Sequence, residues 1–501
     1  MDHRGRRRFR YQPVGRRGNR GSVVQPLRLK PCRQRRDGNL EIPIKNHWMK
    51  MIVSNLQPLE ITENAHFLEF VKVLNPTLQI PTRSTMCFQL HNLFNKEKNE
   101  LRGTLDSAED IVLTCELWSS RAEDSYLTVG GHFVDRLGNL KSYMLNTANL
   151  FRDESATNIQ NQLSAVMEDW GIKEKVHSVV RAGMPQLEKV KTKWRHIPCF
   201  ASTLNGVCQD LLSDNKLVNV LRKCQNIVWF FKCDTEAERK LRETQRGMRM
   251  KQDELIMYSG DRWPALLPML QSLIQQYSAM LPVLDERGKT EFILNENDKK
   301  KMKNIILALQ PLREVMSMMK GEGFESVSVI LPLLRRLMEK LEEEEQRKND
   351  VAQMLLLKCR EKFGDVNRHK LAPITFLDPR FKDQLGDQNT KQAMEKIMEE
   401  LSADMASSAA LKVRKELHRY RAYKPNAESS NPLAWWRFTG NTQFRELSKL
   451  ALKKLGAVST AVPLERAFSG AGDHFCNLRS CIEPENLNMI LFLHSNKSAV
   501  S

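Results

Sequence analysis

The arginine-rich start of the chain carries the side chains whose type and spacing most directly imply chemistry. Residues 1–37 hold 13 Arg and Lys side chains against Asp2 and Asp37, which accounts for most of the formal net charge of +18. Guanidinium groups pair with phosphate oxygens, so DNA, and RNA as a second possibility, is the expected partner. The arginines assigned to nucleic-acid binding are Arg6, Arg7, Arg8, Arg16, Arg17, Arg35 and Arg36.

This basic segment has little that a folded core could bury. Residues 1–40 are therefore predicted to form a disordered arm, and a nuclear-import signal is the alternative use of the same charges. Contacts to the phosphate backbone carry no sequence information, so the arm predicts binding without base preference.

Enzyme motifs with a short local signature are missing from the sequence. There is no Gly-rich phosphate loop, no GxSxG elbow and no HExxH pair, and the ten cysteines form no CxxC pair or zinc-finger spacing. We therefore predict no metal and no cofactor. Because no apolar run reaches membrane-spanning length and no signal segment is recognisable, we expect a soluble intracellular protein with reduced thiols and no membrane partner.

The elements that would position a site change type along the chain. β-Branched and aromatic runs predict a mixed α/β sheet with one intervening helix. The predicted strands are 111–115, 126–134, 140–145, 176–180 and 197–200, and the helix is 155–170. Helical periodicity dominates both residues 45–105 and residues 203–430. The tail from Asn431 to Asn496 is so apolar that it must pack on the rest of the chain or on a second chain.

Several stretches, in order, resemble one family. NPLAWW at 431–436, STAVPLERAFS at 459–469 and RSCIEPENLNMILFLHSN at 479–496 look like the C-terminal region of hAT-superfamily transposases. LTCELWSS and YLTVGGHFVD resemble the first two strand motifs of that family, and DRWP and LDPRFKD resemble motifs of its helical insertion. The BED zinc finger that often precedes this region in the family is missing from the sequence.

The resemblance implies an α/β fold of the ribonuclease-H-like type, interrupted by a large all-helical insertion and ending in a hAT dimerisation region. The domains expected from it are a basic arm at 1–40, a small helical domain at 41–105, the first part of the ribonuclease-H-like fold at 106–232, the helical insertion at 233–430, and the completion of the fold with the dimerisation region at 431–501.

The resemblance also implies a site of three carboxylates that hold two divalent metal ions. The matching positions here are Glu116, Ala182 and Glu465. Glu116 is one methylene longer than the expected Asp, and Ala182, next to Arg181, cannot bind a metal. Glu465 matches the third position, but a Glu near a helix start is equally explained by capping. We therefore predict that the site is vestigial.

Two further groups of residues follow from the resemblance. Arg262 and Trp263 match a pair whose Trp can stack on a flipped base, although packing of Trp263 between helices is the interpretation we favour. The residues assigned to dimerisation are Trp435, Trp436, Phe444, Leu447, Leu491 and Phe492.

The function expected from the sequence is that of a catalytically inactive, transposase-derived nuclear protein. It would be a homodimer that acts through nucleic-acid binding and contacts with other nuclear proteins, in transcription or chromatin regulation. One alternative is an active transposase in which Asp210 or Asp261 replaces Ala182. The other alternative is an interaction scaffold that binds no nucleic acid.

Overall fold

Five strands form one mixed sheet, as the sequence predicts. In the order β3-β2-β1-β4-β5, β2 pairs antiparallel with both β1 and β3, whereas β4 pairs parallel with β1 and β5. The strands are β1 Ile111–Ser119, β2 Ser125–Val134, β3 Leu140–Asn149, β4 Val176–Ala182 and β5 Arg195–Pro198.

The computed structural model describes residues 41–120, 123–187, 190, 192–258, 263–319, 325–402, 407–424, 431–461 and 482–496. The basic arm at 1–40, Arg262 and Glu465 lie outside these residues. By their internal contacts, His47–Ser501 form one unit and Met1–Asn46 another. None of the described helices combines the length and the apolarity needed to cross a membrane.

Helices account for most of the remaining described chain, and the predicted helical stretch between the sheet and the tail is confirmed. A π-helical turn, Trp436–Gly440, joins two short helices in the tail. The helices are α1 Glu41–Asn55, α2 Ala65–Leu74, α3 Arg83–Asp106, α4 Ala156–Asp169, α5 Phe200–Leu212, α6 Asn215–Cys233, α7 Thr235–Gly247, α8 Leu266–Glu286, α9 Glu296–Met318, α10 Ile330–Gln346, α11 Asp350–Lys362, α12 Asp365–Leu377, α13 Asp387–Ser402, α14 Ser407–Ala422, α15 Pro432–Trp435, α16 Asn441–Gln443, α17 Arg445–Leu455 and α18 Pro484–Ser495.

The turn between β2 and β3 depends on two residues of the DRLGN segment. Oδ1 of Asp135 accepts hydrogen bonds from the backbone amides of Leu137, at 2.9 Å, and Asn139, at 2.8 Å. Gly138 has φ of +76°, and a Cβ there would lie 2.7 Å from Cα of Ala434. Glycine is therefore required both by the left-handed backbone and by the close approach of the tail.

The two faces of the sheet are covered by different parts of the chain. On one face α4 packs against β2 and β3, and its apolar residues at helical spacing include the fully buried Ile159 and Leu163. The opposite face, through Val112, Val180 and Ala182, joins the same apolar core as the helices that follow β5. The sheet and the helical region thus share one core.

α18 covers the outer edge of β3 by means of side-chain amides. Oδ1 of Asn488 accepts a hydrogen bond from the amide of Thr147 at 2.7 Å. Asn496 accepts from the amide of Met144 and donates to its carbonyl, each at 2.9 Å. These bonds satisfy backbone groups that an edge strand would otherwise leave open to another strand.

An aromatic cluster fixes the tail to the helical region. The indole Nε1 of Trp436 donates to the carbonyl of Leu377 at 2.7 Å, and the Tyr420 hydroxyl donates to the same carbonyl at 3.0 Å. The ring centroids of Tyr420 and Trp436 are 4.9 Å apart, and Phe444 lies 5.6 Å from Tyr420. A Cβ on Gly440 would fall within 3.1 Å of Cδ2 and Cζ3 of Trp436 and closer still to Cε3.

Gly440→Ala is therefore expected to destabilise the protein by about 1–3 kcal/mol, because the buried indole ring has no room to move. Chemical denaturation, followed by tryptophan fluorescence, measures this change. Gly103→Ala provides the control, since Gly103 is exposed in α3 and a Cβ there meets nothing within 4 Å. That control is expected to be neutral or stabilising by about 0.5–1 kcal/mol. Equal stability of Gly440→Ala and the parent would contradict the packing described here.

A buried histidine links three neighbouring strands. The Nε2 atom of His132 lies 2.9 Å from Oγ1 of Thr114, and its Nδ1 atom lies 2.8 Å from Oγ of Ser142. Burial lowers the pKa of His132 to about 3. The folded protein therefore holds this imidazole neutral at a pH where the unfolded chain, with a histidine pKa of about 6.5, already binds a proton.

The free energy of unfolding should be constant for this group above pH 6.5 and fall as the pH drops from about 6.5 towards 3. The slope from one such histidine is at most about 1.4 kcal/mol per pH unit. Burial likewise lowers the pKa of His177, to about 4, and the pKa of His196. His132→Gln is therefore expected to reduce the slope between pH 6.5 and 5 without abolishing it, as urea denaturation at each pH would show. His66→Gln, at an exposed position, is the control, and an unchanged slope in His132→Gln would refute the assignment.

Candidate functional site

The parallel pairing of β1 with β4 brings Glu116 and Ala182 side by side. Glu116 is the register partner of Ala182, and Cys115 is the partner of Arg181. Both positions lie towards the carboxyl ends of adjacent parallel strands, the edge at which open α/β sheets bind ligands. The two positions that the sequence singled out are therefore brought together, with one carboxylate and one methyl group.

Ala182 faces the apolar core rather than solvent. It is only 4% exposed and belongs to the core that continues into the helices after β5. A methyl group offers no lone pair to a metal ion, so the β4 position contributes packing and no ligand.

Arg181 points to the other side of the sheet, because side chains alternate along a strand. Its Nη1 atom donates to the carbonyl of Met184 at 2.6 Å and so fastens the turn that follows β4. Burial raises the pKa of the neighbouring Cys115 thiol to about 12, against the opposing effect of the Arg181 charge. This thiol therefore remains protonated and does not serve as a metal ligand at neutral pH.

Neutral groups surround Glu116 on its own face of the sheet. Its partner on β2 is Thr128. The Thr128 hydroxyl accepts from Nε1 of Trp118 at 3.0 Å and lies 3.0 Å from the hydroxyl of Thr147. Within the described residues, no group of three or more His, Cys, Asp or Glu side chains could hold a metal ion.

The substitutes considered for Ala182 do not supply a nearby carboxylate in the described structure. Asp210 is exposed near the end of α5. Ten residues of helix span about 15 Å, so Asp210 lies well away from the end of β5, where α5 begins. Asp261 and the retained Glu465 lie outside the described residues.

Trp263 is buried in this conformation. Its side chain is 2% exposed, and it belongs to the same core as the helices around it. The indole Nε1 has no hydrogen-bond partner among the described residues. A ring in this position packs against neighbouring side chains and is not available to stack on a base without a rearrangement.

The residues assigned to dimerisation lie inside the chain itself. Five of them are at most 2% exposed, namely Trp436, Phe444, Leu447, Leu491 and Phe492, and Trp435 is half-buried. Phe492 packs edge-on against Phe94 at 5.0 Å and lies 6.0 Å from Trp170. The expectation of an aromatic surface for a second chain is thus corrected, because the tail buries these groups against α3, α4 and the helical region. Apolar periodicity cannot distinguish contacts within a chain from contacts between chains.

A basic face, which the sequence analysis did not single out, lies on α14 and the start of α17. Lys412, Lys415 and Arg419 are exposed at a spacing of three and four residues, and Arg419 lies 5.5 Å from the ring of Phe444, next to the exposed Arg445. None of these four forms an ion pair with a described carboxylate. The spacing in the sequence could have revealed the three α14 cations, but their proximity to α17 depends on the fold.

Three family models match successive parts of the chain. The ZBED1 RNase-like domain matches residues 114–193, which include Glu116 and Ala182. The ZBED1 RNase-like helical domain matches residues 197–308, and the hAT family C-terminal dimerisation region matches residues 416–497.

Whole proteins that resemble this chain carry the same names. Zinc finger BED domain-containing protein 4 from Homo sapiens is 23% identical over 89% of this chain and 43% of its own length. Zinc finger BED domain-containing protein RICESLEEPER 2 from Oryza sativa subsp. japonica is 24% identical over 39% of this chain and 29% of its own length. The putative AC transposase from Zea mays is 21% identical over 66% of this chain and 44% of its own length. The chain therefore spans less than half the length of each of these relatives.

Matched in its RNase-like, helical and C-terminal regions, and similar to both BED zinc finger proteins and AC transposases, this chain is a hAT-derived protein.

Proposed function

We propose that this protein is a catalytically inactive derivative of a hAT transposase. The proposal has it act in the nucleus, as a homodimer, through nucleic-acid and protein binding in transcription or chromatin regulation. The observation that carries it is the register of the sheet, in which Glu116 stands beside Ala182. The domain bounds expected from the sequence, from the basic arm at 1–40 to the dimerisation region at 431–501, form part of the same proposal.

The loss of one carboxylate argues strongly against cutting chemistry. Two-metal cleavage requires oxygen ligands that clamp both the attacking and the leaving oxygen, with the metals about 3.5–4 Å apart. Glu116 alone cannot bridge two such ions, and the nearest position on β4 presents a buried methyl group. The resident charge on that strand is the cation of Arg181, which adds repulsion rather than a ligand.

Nucleic-acid binding is supported by charge at two places. The first is the arginine-rich arm of the sequence, and the second is the exposed face of Lys412, Lys415, Arg419 and Arg445. Cations without acidic partners attract the phosphate backbone, and their binding weakens as salt increases. The names of the relatives, which pair BED zinc fingers with transposases, agree with descent from a DNA-binding protein.

Ala182→Asp tests the vestigial site. The new carboxylate should destabilise the metal-free protein, because a charge enters an apolar core beside Glu116. Adding Mn²⁺ should then stabilise Ala182→Asp by about 1–3 kcal/mol, whereas the parent should not respond. Thermal melting with and without MnCl₂ measures both effects. Ala182→Asn is the control of matched shape without charge, and it should lose stability without a response to Mn²⁺. Stabilisation of the parent by Mn²⁺, or DNA cleavage by the parent, would sink the proposal.

Duplex DNA binding across a salt series tests the binding half of the proposal. Light scattering after size exclusion, together with fluorescence anisotropy, should show a dimer whose log Kd rises linearly with log salt concentration. Removal of residues 1–40 should flatten this slope by about 0.9 for each phosphate that the arm neutralises in the parent complex. Lys415→Glu should weaken binding several-fold, whereas Lys391→Glu, a charge-matched reversal at an exposed position of α13, should not. A monomer that ignores DNA at low salt would leave only the scaffold alternative.

A further inference from the structure

α2 presents an apolar stripe to solvent. Phe70, Val73 and Leu74 are 59%, 78% and 69% exposed, and their spacing of three and four residues places them on one face of the helix. The opposite face packs on the rest of the chain through the buried Val71 and through Phe67, whose ring lies 5.3 Å edge-on from that of Trp48. The exposed stripe is thus a second apolar face on a helix that already has one inward.

Such a face is unusual on a helix of ten residues. Most single exposed apolar side chains need no explanation, but three in one stripe make a contiguous patch of the kind that marks a contact with another molecule. No described side chain covers this patch.

The charges beside the stripe indicate what covers it. Glu69 and Lys72 are both exposed, and neither forms an ion pair with a described residue. With 100° of rotation per residue, both lie on the same flank of the stripe, on the side away from Leu74. In an antiparallel helix pair, the same flanks of the two helices face each other. A pairing centred between Phe70 and Val71 therefore sets Glu69 of each helix opposite Lys72 of the other.

We propose that α2 packs against α2 of a second copy of this chain in an antiparallel, two-fold arrangement. Each pairing buries two copies of the stripe and forms two Glu69–Lys72 contacts, so the surface is complementary to itself. The inference rests on the proposed homodimer and names the surface that it uses, in place of the tail aromatics, which the chain already buries.

The length of α2 sets what this contact can contribute. Ten residues of helix extend about 15 Å. A stable interface usually buries about 800 Å² on each partner, which is more than one short helix pair provides. The α2 pair is therefore the apolar centre of the interface, with neighbouring surface as its rim. Substitutions at the centre should accordingly have the largest effects.

Charge reversal on the full chain tests this arrangement. Glu69→Lys and Lys72→Glu each create two like-charge contacts across the two-fold axis, so each should raise the dimer Kd about 3- to 30-fold at low salt. The double variant, with both reversals, should restore the parent Kd to within about threefold, because the pairs are re-formed with exchanged signs. Analytical ultracentrifugation over a concentration series measures the constants.

Phe70→Ser tests the apolar half and should raise the Kd more than tenfold. Leu357→Ser, at an exposed apolar position of α11 that is 58% exposed, is the matched control and should leave the Kd unchanged. Because these side chains face outward, circular dichroism and thermal melting should match the parent.

The outcomes separate this inference from the proposed function. A dimer that is unaffected by Phe70→Ser and by both reversals overturns the α2 contact but leaves the homodimer intact. Single reversals that weaken the dimer without rescue in the double variant show that α2 meets a different surface, which also overturns the arrangement. A parent that remains monomeric at all concentrations overturns both.

Discussion

The parallel pairing of β1 with β4 is the constraint on which the remaining structure depends. β1 lies at the centre of the sheet, hydrogen-bonded to β2 on one side and to β4 on the other. Antiparallel neighbours need only a turn, whereas parallel neighbours require a crossover, which here includes β3 and α4. The pairing therefore determines which face α4 covers and which face remains for the long helical region.

The same pairing determines the chemistry that the sheet can support. A slip of one residue would place Ala182 opposite a different residue of β1 and turn its side chain to the other face. In the register observed, it meets Glu116 at the site edge and Val180 and Val112 in the core. Losing a carboxylate at such a position is compatible with the fold, because a buried charge has been replaced by a methyl group that packs.

Local pattern predicted the element types well and the partners of the tail poorly. Strand periodicity identified all five strands, and Gly138 in DRLGN identified the turn, since both depend on neighbours in the sequence. Glu116 and Ala182 could be matched because each lies in a short strand motif. Their contact, and the packing of Phe492 beside Phe94 and Trp170, joins residues far apart along the chain, and only the assembled fold decides it.

The helical region and the tail are also interdependent. The carbonyl of Leu377 accepts from both Tyr420 and Trp436, so two separate stretches of chain satisfy one acceptor. Removing either donor leaves the other in a cluster of rings packed around the vacancy. Neither stretch is therefore expected to keep its conformation without the other.

The covering of β3 by α18 has a consequence for the order of synthesis. β3 ends at Asn149 and α18 begins at Pro484. At roughly 5–20 residues per second, a ribosome takes roughly 15–70 s to make the intervening chain. During that interval the edge of β3 in the nascent polypeptide lacks Asn488 and Asn496. The irregular register opposite Val129 and Gly130, and the charge of Lys141, are features that discourage a flat edge from recruiting a neighbouring strand. They protect the growing chain before its own helix arrives.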